Sequence, residues 1–137
     1  MLTSLTIQGL RGLANAKLDG LAPVTVLLGP NGSGKTTILE ACGVVAAGHS
    51  AVEAWEALLR REWLGVEGLR YVVPAAGAHV GGQIGAAEAK AQLLIPELGV
   101  RGPLPVPLAL RLDGQQVMVD GDGVLAGSHN RILVPYE

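Results

Sequence analysis

Phenylalanine is absent from these 137 residues and aromatic side chains make up only 3% of them, so the interior must be built from closely packed Ala, Val, Leu and Gly. A lone cysteine, Cys42, excludes an intrachain disulfide framework and a cysteine-built zinc site. It suits a reducing compartment, and the cytoplasm is the expected location. Neither sign of charge dominates: 10 Lys+Arg against 12 Asp+Glu give a net charge of -2, which offers no basic field to draw the chain to nucleic acid or an anionic membrane. Long apolar runs are missing as well. The stretches 38–48 and 72–87 are broken by Glu40 or by Pro and Gly, and neither makes a spanning helix of about 20 residues. Met1-Leu2-Thr3-Ser4 lacks the basic start and apolar centre of a secretory signal. His49, His79 and His129 share no metal-ligand spacing. These absences leave a soluble chain of one-domain size with a single core.

What is present centres on Gly29-Pro30-Asn31-Gly32-Ser33-Gly34-Lys35-Thr36-Thr37, which fits G-x-x-x-x-G-K-[ST]. A polyphosphate carries several charges that are best met by backbone N–H groups and a helix N-terminus, and glycines let the backbone approach that closely. In such a loop Gly32 and Gly34 turn the amides inward, Lys35 reaches the β- and γ-phosphates, and the Thr36 hydroxyl ligates Mg²⁺. Thr37 adds a hydroxyl near the α-phosphate. With Gly at 20 of 137 positions, composition alone yields this pattern by accident in roughly one of a few hundred such chains.

The flanking sequence has the strand and helix that the motif requires. Leu5, Ile7 and Gly9 alternate with polar residues and predict a first strand, followed by a break at Leu10-Arg11-Gly12-Leu13. A second extended piece at Ala16-Lys17-Leu18 leads through Asp19-Gly20 to Val24-Thr25-Val26-Leu27-Leu28, an apolar run expected to be the central, doubly buried strand. Residues 36–47 then read as a helix ending near Gly48. Ser50-Ala51-Val52-Glu53 is a capping box for a second helix reaching about Leu64, with Trp55 and Trp63 as packing anchors. Residues 65–85 show no clear period and read as loop, with a short strand at 69–73. Alternation at Ala89, Ala91, Leu93 and Ile95, again at Val106, Leu108, Leu110 and Leu112, and at Val117 and Val119 predicts an antiparallel meander. Residues 121–130 read as loop and 131–135 as a last strand. One domain, 1–137, is expected, divided into a core at 1–64, a loop-rich part at 65–87 and an antiparallel part at 88–137.

The loop together with Ile38-Leu39-Glu40-Ala41 resembles the ABC-type AAA family ATPases of the SMC/RecF/OLD group, and Leu2 to Leu13 is similar to that group's opening strand and its Arg-Gly turn, with Leu10 in place of the usual aromatic. The resemblance implies an α/β P-loop NTPase fold, an N-terminal lobe with a mixed sheet and a β-meander, incomplete relative to a full head. It implies that Arg11 lies near the nucleotide, that ATP and Mg²⁺ are the cofactors, and that the pathway is DNA repair or anti-phage defence. The group's downstream parts, a Walker B ending in Asp-Glu, a signature segment, a D-loop and a switch His, have no convincing copy here. Leu108 to Asp113 is the nearest imitation of Walker B, but its alternation and Asp113-Gly114 suit a hairpin better. Gln83 and Gln92 are both candidates for the family's Mg²⁺-binding glutamine, and spacing does not choose between them. Turnover would therefore need a missing C-terminal lobe, a homodimer or a second subunit, with DNA reached through the complex and no membrane involved. The other readings are the nucleotide-binding subunit of an ABC transporter, a nucleotide-binding interaction module that does not hydrolyse, and a small-molecule kinase. Cys42 reads as core packing rather than a reactive thiol.

Overall fold

The computed structural model describes residues 1–60, 65–120, 124–126 and 131–133. Among them, one sheet of eight strands runs in the order β2-β1-β3-β4-β5-β6-β7-β8. The strands are β1 (Leu2–Gln8), β2 (Ala16–Asp19), β3 (Ala78–Ile84), β4 (Ala87–Leu94), β5 (Leu108–Leu112), β6 (Gln115–Val119), β7 (Val124–Ala126) and β8 (Arg131–Leu133). Two helices, α1 (Lys35–Ala46) and α2 (Ala51–Leu59), lie together on one face of it. Helix α1 packs against α2, β1, β3 and β4, and α2 reaches β5, β6 and β7. The fold is thus an α/β arrangement in two layers, with the core between them.

Alternation decides which side chains enter that core. Leu5 and Ile7 on β1, Leu93 on β4 and Leu108 and Leu110 on β5 are fully buried, as the period of two requires. Val44 from α1 and Trp55 and Leu58 from α2 meet them from the helical layer. Burying each such side chain contributes about 1.5–3 kcal/mol relative to leaving it in water. The helices approach closely because Gly43 has no side chain: a Cβ there would stand 3.0 Å from that of Ala57. Ser50 caps α2 as the capping box predicts, its hydroxyl accepting from the Glu53 N–H at 3.3 Å. Trp63 lies outside the described residues.

Several expectations need correction. The loop-rich stretch contains β3, which pairs with both β1 and β4. Its glycines concealed it, because Gly81 and Gly82 serve close approach rather than flexibility. A Cβ on Gly82 would come within 2.7 Å of the Ser4 carbonyl oxygen and 2.8 Å of Leu2. The short strand expected at 69–73 is instead the end of a 3₁₀ segment, Gly65–Tyr71, and β7 interrupts the loop expected at 121–130. The rest of that loop, and residues 134–135 of the last expected strand, lie outside the described residues.

A further correction concerns Val24 to Leu28. This run forms no strand, and Val24, Val26 and Leu28 are 83%, 73% and 89% exposed. A strand is held by ladder partners on its edges, and among the described residues nothing pairs with 24–28. The sheet is consequently antiparallel at every described pairing rather than mixed, since the segment that would bring parallel neighbours is outside it. Thr25 and Leu27 turn the other way, lining an apolar cavity of about 220 Å³ with Leu5, Leu18, Ile38 and Cys42.

Asp113 and Gly114, both at positive φ, make the two-residue turn of the β5–β6 hairpin. The Walker B imitation at 108–113 is therefore a hairpin, and the Asp113 carboxylate accepts from the Gln92 N–H at 2.8 Å. Among the described residues no helix is long and apolar enough to cross a membrane.

Glu67 fastens the 3₁₀ segment to the following loop. Its carboxylate accepts from the Leu104 N–H at 2.5 Å and from Arg70 Nε at 3.0 Å, and Arg70 Nη2 donates to the Gly102 carbonyl at 2.6 Å. The Leu104 N–H first, and then Arg70, hold the Glu67 carboxyl below its ordinary value. A depressed carboxyl pKa gives stability that is complete above the unfolded-state value and is lost as pH falls through the folded-state value. Glu67→Gln should lower the melting temperature at neutral pH, with the gap to wild type closing on acidification through that range; a pH-independent gap would deny the linkage. Gly82→Ala should destabilise by about 1–3 kcal/mol in denaturant titration, the usual cost of an overpacked site. Wild-type stability in that variant would show that the strands separate freely at this point.

Candidate functional site

Residues 29–37 close a cavity of about 450 Å³ together with the turn after β1; its wall is Arg11, Gly12, Leu13 and residues 31–37. The loop turns through positive φ at Gly32 (79°) and Gly34 (92°), angles that cost an L side chain dearly. Gly34 is also the N-cap of α1. It supplies no side-chain cap, and the first turn holds no carboxylate. The leading N–H groups of α1 and the positive end of its dipole are left for an anion arriving from the cavity.

Lys35 folds back over the loop. Its ammonium donates to the carbonyls of Gly29 and Pro30, the latter at 2.7 Å, and lies 3.4 Å from Ser33 Oγ. Gly29 and Pro30 therefore belong to the site through their carbonyls rather than on the cavity wall. A Cβ on Gly29 would stand 2.8 Å from Ser33 Oγ, so a larger residue there would have to turn the Ser33 hydroxyl aside. Thr36 is exposed on the wall, while Thr37 lines the same cavity and is buried to 9% exposure.

Arg11 comes from the break after β1, where its backbone takes φ 48° and its N–H donates to the Val72 carbonyl at 2.8 Å. Its guanidinium grips both helices. Nε donates to Glu40 Oε2 of α1 at 2.7 Å and Nη2 to the Leu58 carbonyl of α2 at 2.9 Å. The pair is largely out of water, with side-chain exposures of 16% and 6%. Removing one member of a largely buried pair is strongly destabilising, by about 3–5 kcal/mol.

Sequence reasoning brought together Arg11 and the loop, and the structure puts them on one cavity. It missed Gly12 and Leu13, which follow Arg11 directly; the Leu13 side chain lies 3.7 Å from where a Cβ on Gly34 would be. It also missed the part played by Glu40, which pairs with a residue 29 positions away. Adjacency to Arg11 was the available signal for the first two; none existed for the third. Neither candidate glutamine lines this cavity. Gln92 borders a separate one of about 300 Å³ with Gln8, His79, Lys90 and Asp113, and the Gln83 amide donates to the Gly85 carbonyl. Among the described residues no group of three His, Cys, Asp or Glu side chains gathers to hold a metal. Cys42 is half-buried, and desolvation, only partly offset by a backbone hydrogen bond, raises its thiol pKa. It is a poor nucleophile.

Comparison with known proteins falls on the same stretch. A family model described as an AAA domain matches residues 4–52. The DNA replication and repair protein RecF of Acinetobacter baumannii is 51% identical over 49 residues, 36% of this chain and 14% of that protein. RecF of Acinetobacter baylyi is 47% identical over 49 residues, and RecF of Magnetococcus marinus 40% over 60 residues, 44% of this chain and 16% of that protein. The matched stretch thus spans about one seventh of the length of these relatives. No solved structure matches the chain. The resemblance of the N-terminal region to the RecF-type AAA ATPases, expected from residues 2–13 and 29–41, is shown by these matches.

Proposed function

We propose that this chain is the nucleotide-binding part of a RecF-like ATPase and that residues 29–37 take ATP with Mg²⁺. The observation that carries the reading is one loop with two positive-φ glycines running into an uncapped, carboxylate-free helix start, with a lysine ammonium at its mouth. The donor set fits a polyphosphate. The amides of 32–36 and Lys35 would hold the phosphates, Thr36 would offer its hydroxyl to Mg²⁺, and Arg11 is the further nucleotide-site residue implied by the family resemblance. Bound ATP would supply the chemical energy and Mg²⁺ the charge neutralisation of the phosphates.

Binding is better supported than turnover. Phosphoryl transfer to water needs a group that orients the water, and among the described residues the cavity wall contains no Asp or Glu. That same observation favours a second reading, a nucleotide-binding interaction module that does not hydrolyse by itself. The exposed run at 24–28 supports completion from outside: three aliphatic side chains stand in water beside the loop, a surface typical of a contact site. A further lobe or a second subunit that covers this run would supply the missing carboxylate. A role in DNA repair follows the RecF likeness, with anti-phage defence as the other setting; DNA would be met by the completed assembly.

Titration calorimetry with MgATP tests the nucleotide reading directly. Micromolar binding is expected, weakened by about tenfold or more, 1.4 kcal/mol, in Lys35→Ala. Equal binding by the two proteins would remove Lys35 from the site. The exposed run has its own test: Val26→Ser should change stability by less than about 0.5 kcal/mol, as surface substitutions do, and reduce self-association. A core-sized loss of about 2 kcal/mol or more would mean that the run is already buried in the chain alone.

A further inference from the structure

Among the described residues, Leu13 is the one aliphatic side chain on the wall of the phosphate-loop cavity, and no aromatic ring lines it. The rest of the wall is glycine or polar. At about 450 Å³ the cavity falls within the range of about 300–1,000 Å³ usual for pockets that take an organic ligand, so it has room for more than a chain of phosphates. The loop forms one side of it and the turn at 11–13 the other. A nucleoside hung from phosphates on the loop therefore meets the turn. Resting on the ATP reading above, we propose that Leu13 is a nucleoside-contact residue: its side chain packs against the sugar and base of the bound nucleotide by apolar contact, without reading the base by hydrogen bonds.

Two observations fit Leu13 to that task. Its backbone is held: Arg11 and Gly12 take φ of 48° and 78°, the paired positive angles of a tight hairpin turn, and the Leu13 N–H donates to the Leu10 carbonyl at 2.9 Å. The Leu13 carbonyl accepts from the Gly9 N–H at 2.8 Å, and Leu10, fully buried, anchors the turn in the core. A residue fixed before the ligand arrives loses little freedom on binding. The side chain also lies over the loop, with its methyls 3.7 and 3.9 Å from the place a Cβ on Gly34 would take. It stays partly exposed there, leaving apolar surface beside the start of α1. Covering that surface with a sugar or a ring face removes apolar area from water. Such contact has no donor or acceptor pattern, so it serves either purine alike and adds nothing to a bare polyphosphate.

Calorimetry with MgATP, MgGTP and magnesium tripolyphosphate tests the contact in wild type, Leu13→Ala and Lys35→Ala, at a temperature where circular dichroism finds each folded. Leu13→Ala should bind MgATP about fivefold more weakly and MgGTP more weakly by the same factor, while its tripolyphosphate affinity stays within about twofold of wild type. Lys35→Ala should weaken all three. An equal loss of tripolyphosphate binding in Leu13→Ala would overturn the proposal and make Leu13 a support for the loop at Gly34. Unchanged MgATP affinity in that variant would overturn it as well, as would a loss confined to one of the two nucleotides. If Leu13→Ala does not fold, wild type carries the test alone: nuclear Overhauser effects are expected between the Leu13 methyls and the ribose or purine protons of bound MgATP, and their absence from the saturated complex would overturn the proposal. Failure of wild type to bind either MgATP or tripolyphosphate, or undiminished binding by Lys35→Ala, would instead overturn the nucleotide reading and take this contact with it.

Discussion

A buried charge pair, Arg11 with Glu40, holds the two helices to the turn that follows β1. Through it the turn after β1, helix α1, the end of α2 and the segment at Val72 are tied together. The pair lies largely out of water, so it is costly to break and fixes the helix position as a hydrophobic contact alone would not. The loop at 29–37 inherits that fixed position. Residues 31–37 line the cavity, and Gly32 and Gly34 allow the turn that brings them there.

Next to this well-anchored region stands an apolar segment with no ladder partner among the described residues. Val24, Val26 and Leu28 face solvent, although the opposite side of the same run covers an apolar cavity above α1. The contrast has a simple physical origin: the helix supplies one face and the described sheet supplies no edge. The cavity wall is similarly one-sided: among the described residues it holds the cations Arg11 and Lys35 and no carboxylate. Both shortages are ones that the proposed completion by other polypeptide would make good.

Much of this was legible in the residues. Alternation gave β1, the spacing of Ser50 and Glu53 gave the start of α2, and Asp113-Gly114 gave the hairpin that disqualified the Walker B imitation. The loop was readable because phosphate binding, the proposed role, demands particular residue types at fixed spacing. What stayed hidden depended on distant parts of the chain. Gly81 and Gly82 looked like loop because a missing side chain signals either flexibility or close contact, and only the nearby Ser4 carbonyl and Leu2 distinguish these. The run at 24–28 looked buried because periodicity reports what a segment could bury, not whether neighbours exist to cover it. The engagement of Arg11 with Glu40 was likewise invisible, since nothing local marks a pairing across 29 positions.

The central claim, that the amides at 32–36 and the start of α1 receive a nucleotide's phosphates, is open to observation residue by residue. Backbone amide resonances of the isotope-labelled chain can be followed during titration with MgATP. The amides of Gly32, Gly34, Lys35 and Thr36 are expected to shift saturably and together, with smaller movements at Gly12 and Leu13 across the cavity. Saturating MgATP that leaves those amides unmoved, or that shifts instead the residues around His79, Lys90 and Gln92, would contradict it.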